Sequence, residues 1–381
     1  MIEVADVFRA FADGYLSAHG AAMPSWHRRA IAAILACRTA ALGGHLWRCD
    51  RCSHEVFAYH SCKNRSCPKC HTRQTAQWLE ARKAEMLPTG YFHVVVTVPQ
   101  ELRALLRANQ RDGYGLLMKA AADAIVELAR DRRFVGGTVG VLAVLHTWTQ
   151  QLAYHPHVHC LVTGGGVSAD GRNWCPARGA FLVPHKALAK LVRGKLEAAL
   201  AHKRPDLVAP KAAWTKSWVV HIAHWGEGAE AVLRYLARYV FRTAITNTRI
   251  VGRNDRSVTI RYKHRKSSCW QTCSLQGHEF MRRFLQHVLP AGLHKVRYFG
   301  LWHPSKRHLA AQARLLLELE RIAPPELASK AATAPADLNA ADQSVANSPA
   351  ASTSAQPRIC PCCRLGHLIH IRRLPKNPLG P

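Results

Sequence analysis

His155-Pro156-His157-Val158-His159-Cys160-Leu161-Val162-Thr163, followed by three glycines, is the stretch on which the fold turns. In an extended chain alternate side chains share a face, so His157 and His159 point one way while Val158, Cys160 and Val162 point the other. The apolar set needs a core behind it, which makes the segment a sheet strand covered on one side. On the opposite side two imidazoles converge, the outline of a metal site. A lone histidine on an apolar strand is ordinarily a core residue with a satisfied hydrogen bond. A pair at i and i+2 in a basic chain brings metal ligation level with that alternative. Spacing does not fix a third ligand: His93, Gln150, His155 and His146 are all candidates.

Working outward, Tyr91-Phe92-His93-Val94-Val95-Val96-Thr97-Val98 is rich in β-branched and aromatic residues and closed by Pro99, as suits a central strand. Residues 101–131 read as helix, 138–149 as strand, about 186–203 as helix, 217–224 as strand and 228–242 as helix. The order βαββαβ with a further helix predicts an α+β fold, a ferredoxin-like central antiparallel sheet with one face left for a site. A strand pair at 250–264 and an amphipathic helix at 276–289, with Arg282 and Arg283 outward, follow. Before all of this, Val7, Phe8, Phe11, Tyr15, Ile31, Ile34 and Leu35 recur at helical steps, so residues 1 to about 45 are helical.

The charge names a substrate class. With 53 Lys+Arg against 24 Asp+Glu, a formal +29, a polyanion is the natural partner, and nucleic acid leads. No run of eighteen uncharged apolar residues exists, and Asp6, Arg9 and Asp13 interrupt any signal-peptide pattern, so no membrane role and a soluble cytoplasmic location are expected. Thirteen cysteines in such a chain favour metal ligation over disulfides.

Those cysteines are clustered. Cys49-x2-Cys52 and Cys67-x2-Cys70 are separated by fourteen residues, and two such knuckles can close a tetrahedral shell around a structural zinc. Cys62 and His60 lie between the pairs, and Cys37 and His45 before them, so a substitute ligand or a second ion is also open. The zinc would hold neighbouring basic residues, Arg65 and Lys69 among them, against DNA. Residues 331–357 contain no Lys or Arg and are dominated by Ala, Ser, Thr, Pro and Asn, a disordered linker on composition. Beyond it, Cys360-Pro361-Cys362-Cys363 with His367 and His370 looks like half of a zinc ribbon. The expected division is therefore 1–88 helical and zinc-binding, 89–310 catalytic, 311–357 helix end and linker, and 358–381 a short Cys/His tail.

The remaining constellation is Leu233-Arg234-Tyr235-Leu236-Ala237-Arg238-Tyr239-Val240-Phe241-Arg242. On a helix Tyr235 and Tyr239 share one face, Arg234, Arg238 and Arg242 form a basic stripe, and Val232, Leu236 and Val240 the buried one. Plain amphipathic packing accounts for this periodicity. As nucleophiles, the phenols would need a cation or base nearby, because they ionise near pH 10.

Taken together, Gly43-Gly44-His45, Ser61-Cys62-Lys63-Asn64-Arg65-Ser66-Cys67-Pro68-Lys69-Cys70, the 91–99 strand, Leu145-His146-Thr147-Trp148, His157-Val158-His159 and Tyr235-x3-Tyr239 occur in one order along the chain. In that order they resemble the two-tyrosine HUH transposases of rolling-circle insertion sequences. The resemblance implies a single-strand DNA endonuclease and strand transferase acting on mobile-element ends and target. His157 and His159 would hold Mg²⁺ or Mn²⁺, and Tyr235 and Tyr239 would form 5′-phosphotyrosine links. It also implies an N-terminal zinc module that recognises element ends. No GxxxxGK[ST] sequence is present, so strand opening would fall to host replication or helicase factors. A plasmid-type replication initiator with the same chemistry, or a non-catalytic zinc-dependent nucleic-acid-binding protein, would share parts of this pattern.

Overall fold

The computed structural model describes residues 1–225, 244–264, 267–322 and 358–377, together with Leu233, Ala237 and Val240. In chain order the strands are β1 (Gly44–Cys49), β2 (Glu55–Tyr59), β3 (Tyr91–Thr97), β4 (Thr138–Trp148), β5 (Tyr154–Val167), β6 (Trp174–Pro176), β7 (Val219–His224), β8 (Ile250–Arg253), β9 (Ser257–Lys263), β10 (Trp270–Gln276), β11 (Val296–Gly300) and β12 (Leu368–Leu374).

The central sheet has the order β11-β4-β5-β3-β7, every neighbouring pair antiparallel, with β6 added beside β5. Leaving out the edge strand β11, this is the ferredoxin-like arrangement, in which the first strand of the βαββαβ unit, β3, lies between the third and the fourth. Its two crossover helices, Gln110–Arg130 and His185–Lys203, share one core with one face of the sheet: Val94, Val96, Val158, Cys160 and Val162 pack with Leu117, Ile125, Val192 and Leu196. The fully apolar half of β5 is thereby satisfied, and the histidine half must face the other way. The edge strand β11 lies outside the expected series; Val296-Arg297-Tyr298-Phe299-Gly300 is too short and mixed to stand out by pattern.

A second layer gathers the helices Val4–His19 and Ser25–Ala36, the β10-β9-β8 sheet and the helix Gly277–Leu285 around Phe8, Phe11, Ile31, Ile34, Val258, Ile260, Phe280 and Phe284. Phe8 and Phe284 meet edge to face, with centroids 5.3 Å apart. Gly277 is demanded here, because a Cβ would come within 2.4 Å of the Phe11 ring. The Gly277–Leu285 helix is amphipathic as expected, and Arg282 and Arg283 each pair with Glu279 at 2.6 Å on its outer side.

The chain divides into two compact units, and not at the expected boundaries. One unit comprises Met1–Cys37 and Ser61–Leu319, the other Arg38–His60 and Glu320–Pro381. In the second, β1 is the centre of a three-stranded sheet, paired antiparallel with β2 on one side and with β12 on the other. Residues 358–377 are thus no separate tail: strand pairing joins them to 44–59, and residues 38–60 leave the N-terminal module assigned to 1–88. The reason is physical. Gly44–Cys49 has two open edges, and the hairpin to β2 satisfies only one of them. The linker expected at 331–357 lies outside the described residues.

Candidate active site and metal centres

Register builds the histidine site. Antiparallel partners share a face, and His146 on β4 stands opposite His157 on β5, while Val144 and Val95 flank His159. The ligand nitrogens of His146, His157 and His159 all lie within 4.8 Å of one another, and all three residues are buried. His146 Nδ1 is 2.7 Å from His157 Nε2. An octahedral ion with ligands at ~2.1 Å would set neighbouring ones ~3.0 Å apart, so the spacing is close to what a cation requires.

Behind these ligands, a second set of contacts orients the rings. His157 Nδ1 donates to the His155 carbonyl at 2.7 Å, which leaves its lone pair on Nε2, facing His146. His159 Nδ1 lies 2.9 Å from His93 Nε2, with the two rings stacked in parallel at 5.1 Å. A proton donated from that Nδ1 leaves the His159 lone pair on Nε2. Of the four candidates for the third ligand, the structure brings in His146. His93 instead supports His159, His155 meets Arg103 through Nδ1 at 2.9 Å, and the Gln150 side-chain oxygen accepts from the Lys263 backbone N–H at 2.8 Å.

Burial is the first cause of lowered basicity throughout this face. His159 falls to about 2, His157 and His93 to about 4, and His146 well below its ordinary value, with neighbouring imidazoles adding to the effect in each case. All four are neutral at pH 7, the state in which a ring nitrogen can ligate. His27 and His287, elsewhere in this unit, are likewise pushed to about 4 by burial. The consequence for stability has a definite sign. Between the unfolded value near 6.5 and the depressed folded values, only the unfolded chain takes up protons, so stability falls as pH drops through that interval, by about 1.4 kcal/mol per pH unit for each such histidine. Denaturant titrations of metal-free protein are therefore expected to show a midpoint that drops steeply from pH 7 to pH 5; a midpoint constant over that range would contradict the burial of these rings.

On the same face of the sheet, the helical positions Leu233, Ala237 and Val240 are buried, and Leu233 and Val240 pack with Leu142, Val144 and Leu161. Val240 was expected in the buried stripe. Leu233 and Ala237 belong to it too, whereas Val232 and Leu236 lie outside the described residues. So do Tyr235, Tyr239, Arg234, Arg238 and Arg242.

The cysteines form two clusters, and the expected pairing of Cys49 and Cys52 with Cys67 and Cys70 is incorrect. One cluster is Cys37, Cys62, Cys67 and Cys70; the other is Cys49, Cys52, Cys360 and Cys363. Each CxxC knuckle takes its partners from elsewhere in the chain, because β1 and β2 carry Cys49 and Cys52 into one compact unit while Cys67 and Cys70 lie in the other. In the first cluster Cys70 Sγ stands 3.6 Å from Cys37 Sγ and 3.7 Å from Cys62 Sγ. Four sulfurs on a zinc ion at ~2.3 Å would be ~3.8 Å apart, whereas a disulfide would need ~2.05 Å. Hydrogen bonds from the Cys62 and Cys67 thiols hold Cys37 down to about 2, while the contact with Cys37 pushes Cys62 up to about 12. Crowded thiols that cannot all ionise together are what a cation would relieve. Arg38, Lys63 and His71, each directly after a cluster cysteine, adopt positive φ, the left-handed turn of a knuckle closing on its sulfur.

The family model described as "Putative transposase" matches residues 140–309, and the one described as "Transposase zinc-binding domain" matches residues 7–98. A protein of Sinorhizobium fredii, "Putative transposase y4qJ", is 38% identical over 389 residues, covering 97% of this chain and 94% of its own length. The chain belongs to the IS91-type rolling-circle transposase family. "Transposase for insertion sequence element IS801" of Pseudomonas savastanoi is 28% identical over 286 residues, covering 70% of this chain and 68% of that one. No solved structure matches the chain. The zinc-binding match spans all of the first cysteine cluster and only half of the second.

Two of the basic residues assigned to DNA in this transposase are engaged internally. Arg65 donates to the Leu289 and Leu293 carbonyls at 2.7 Å and also to that of Pro290, an apolar-flanked turn that needs its carbonyls satisfied. Lys69 pairs with Glu3 at 2.6 Å. Both side chains thus have partners within the protein, on either side of the start of the Cys67-Pro68-Lys69-Cys70 knuckle. Among the described residues no helix is long and apolar enough to cross a membrane.

Proposed function

We propose that this transposase is a metal-dependent single-strand DNA endonuclease and strand transferase, working through 5′-phosphotyrosine links at the ends of its element. The observation that carries this is the trio of neutral, buried imidazoles, His146, His157 and His159, on the sheet face against which Leu233 and Val240 pack. Held by those three nitrogens, a divalent ion would supply Lewis-acid polarisation and orientation of a phosphate. An all-imidazole donor set suits Mn²⁺ better than Mg²⁺, which prefers oxygen.

The protein's own groups do the rest. His93 and the His155 carbonyl fix the two HUH rings, and the apolar surround of Leu142, Val144 and Leu161 limits water. The Tyr235 or Tyr239 phenol gives up its proton as its oxygen attacks phosphorus, the bond to the 3′-oxygen breaks, and that oxygen takes up a proton and leaves as a hydroxyl, so that no net proton is consumed. The second tyrosine repeats the step on the other strand, so that two ends can be exchanged. Bond energy is kept in the phosphotyrosine, and no nucleotide hydrolysis is needed. The net charge of +29 supports a DNA substrate, bound with strong salt dependence. Strand opening is left to host replication or helicase factors, and the setting is the bacterial cytoplasm, in association with the nucleoid.

The test is an SDS-resistant adduct between purified protein and labelled single-stranded element ends with Mn²⁺. Y235F/Y239F is expected to abolish the adduct, and each single variant to retain part of it. An undiminished adduct in the double variant rules the tyrosines out as nucleophiles.

A further inference from the structure

The second cysteine cluster reaches beyond the matched zinc-binding domain and joins residues more than three hundred positions apart in the chain. We infer that Cys49, Cys52, Cys360 and Cys363 bind a second structural zinc ion, which closes a ribbon built from both ends of the transposase. Cys49 Sγ lies 3.6 Å from Cys363 Sγ, and Cys52 Sγ lies 3.7 Å from Cys360 Sγ, again the edge lengths of a tetrahedral thiolate site.

The two knuckles are built alike. Backbone N–H groups of Arg51 and Cys52 point at Cys49 Sγ at 3.4 and 3.5 Å, as that of Cys362 points at Cys360 Sγ at 3.4 Å and that of Gly366 at Cys363 Sγ at 3.3 Å. Ser53 and Arg364, each following the second cysteine of its knuckle, both take positive φ. Such backbone is sparsely populated for non-glycine residues and persists where the surroundings enforce it. Gly366 closes the cradle: a Cβ there would come within 2.5 Å of Cys49 Sγ.

Among its described residues, burial gives this unit little support. Its sheet has three short strands, and Phe57, Ile359, Leu365, Ile369 and Ile371 remain exposed while Leu46, Cys49 and Cys360 are buried. A small sheet so poor in apolar core needs a staple, and a zinc tetrathiolate is one. Cys362, although it sits between two ligands in sequence, is outside the cluster and exposed.

That cysteine supplies the internal control. Full-length zinc-loaded protein is treated with a thiol alkylating agent, with and without a strong chelator, and modified sites are mapped by mass spectrometry. Cys52, which is exposed, and Cys363, which is only partly buried, are expected to resist modification until the chelator is added, whereas Cys362 reacts at once. Zinc content by elemental analysis is expected to be two ions per chain, falling to one in C360S/C363S. Cys52 and Cys363 reacting as fast as Cys362 in the loaded protein would overturn the inference without any variant having to fold. So would two zinc ions remaining in C360S/C363S. The transposase reaction is not the readout, so failure of the proposed cleavage chemistry and failure of this site are separable.

Discussion

Replacing His157 and His159 together by alanine is expected to lower single-strand cleavage by about 10³-fold or more, the scale of removing a main electrostatic stabiliser of a transition state, while DNA affinity changes by about twofold at most. The asymmetry follows from charge. At pH 7 both imidazoles are neutral, so they contribute nothing to the long-range attraction that the +29 chain exerts on DNA. They also lie within the sheet face, not on its rim, and each is less than a tenth exposed. What they offer is a pair of lone pairs at a fixed spacing, and alanine removes both. His146→Ala should follow the same pattern, because its Nδ1 completes the trio. His93 is a positioning residue: its Nε2 lies 2.9 Å from His159 Nδ1, and it stands outside the His146/His157/His159 trio. His93→Ala should weaken Mn²⁺ affinity by about 10–100-fold and recover at saturating Mn²⁺, a rescue that a merely structural role would not give. Cleavage is measured on labelled single strands, and affinity by filter binding or anisotropy. Retention of cleavage in the His157/His159 variant would remove the metal role altogether.

Much of this arrangement is legible in the chain, for reasons that particular residues make plain. The alternation in 155–163 fixes which side of β5 is core, and antiparallel pairing then has to give the histidines the free face. The β-branched and aromatic run at 91–97 and the helical periodicities at 110–130 and 185–203 are clear, so the ferredoxin-like order follows. The third ligand does not, because it depends on the β4–β5 register. Sliding the pairing by one residue would replace His146 with Leu145 or Thr147, and no local pattern sets that offset. One signal was present: in Val144-Leu145-His146-Thr147-Trp148 the histidine is a polar residue in a run otherwise bound for the core. The cysteine partners are hidden for a related reason. CxxC spacing states that two sulfurs share an ion, but says nothing of which pairs combine, and β12 lies beyond a segment with no folding signal of its own. The half ribbon at 360–363 was a request for a partner, and Cys49-x2-Cys52 was the pair without a necessary one.

Loss of the first cysteine cluster should be the more damaging change to the fold. Cys37 and Cys67 are buried within the same core as Phe8, Ile31, Ile34 and Phe280, so the metal centre and the apolar packing of the N-terminal helices are one structure. Removing a ligand such as Cys67 leaves an open metal shell and a polar hydroxyl in that core. Structural zinc contributes roughly 10–16 kcal/mol in small zinc-folded domains, comparable to the ~5–15 kcal/mol that holds a whole domain folded. Cys67→Ser is therefore expected to release that ion and to unfold the N-terminal helical layer, seen as lost zinc and as rapid proteolysis within residues 1–85. Cys160 provides the comparison. It is fully buried, and its thiol is pushed up to about 12 by burial alone, but it belongs to neither cluster. Cys160→Ala removes one sulfur from a packed core and should cost about 1–2 kcal/mol with zinc content unchanged. If the two substitutions destabilise equally, Cys67 acts as an ordinary core residue and the centre it shares with Cys37, Cys62 and Cys70 holds no structural ion.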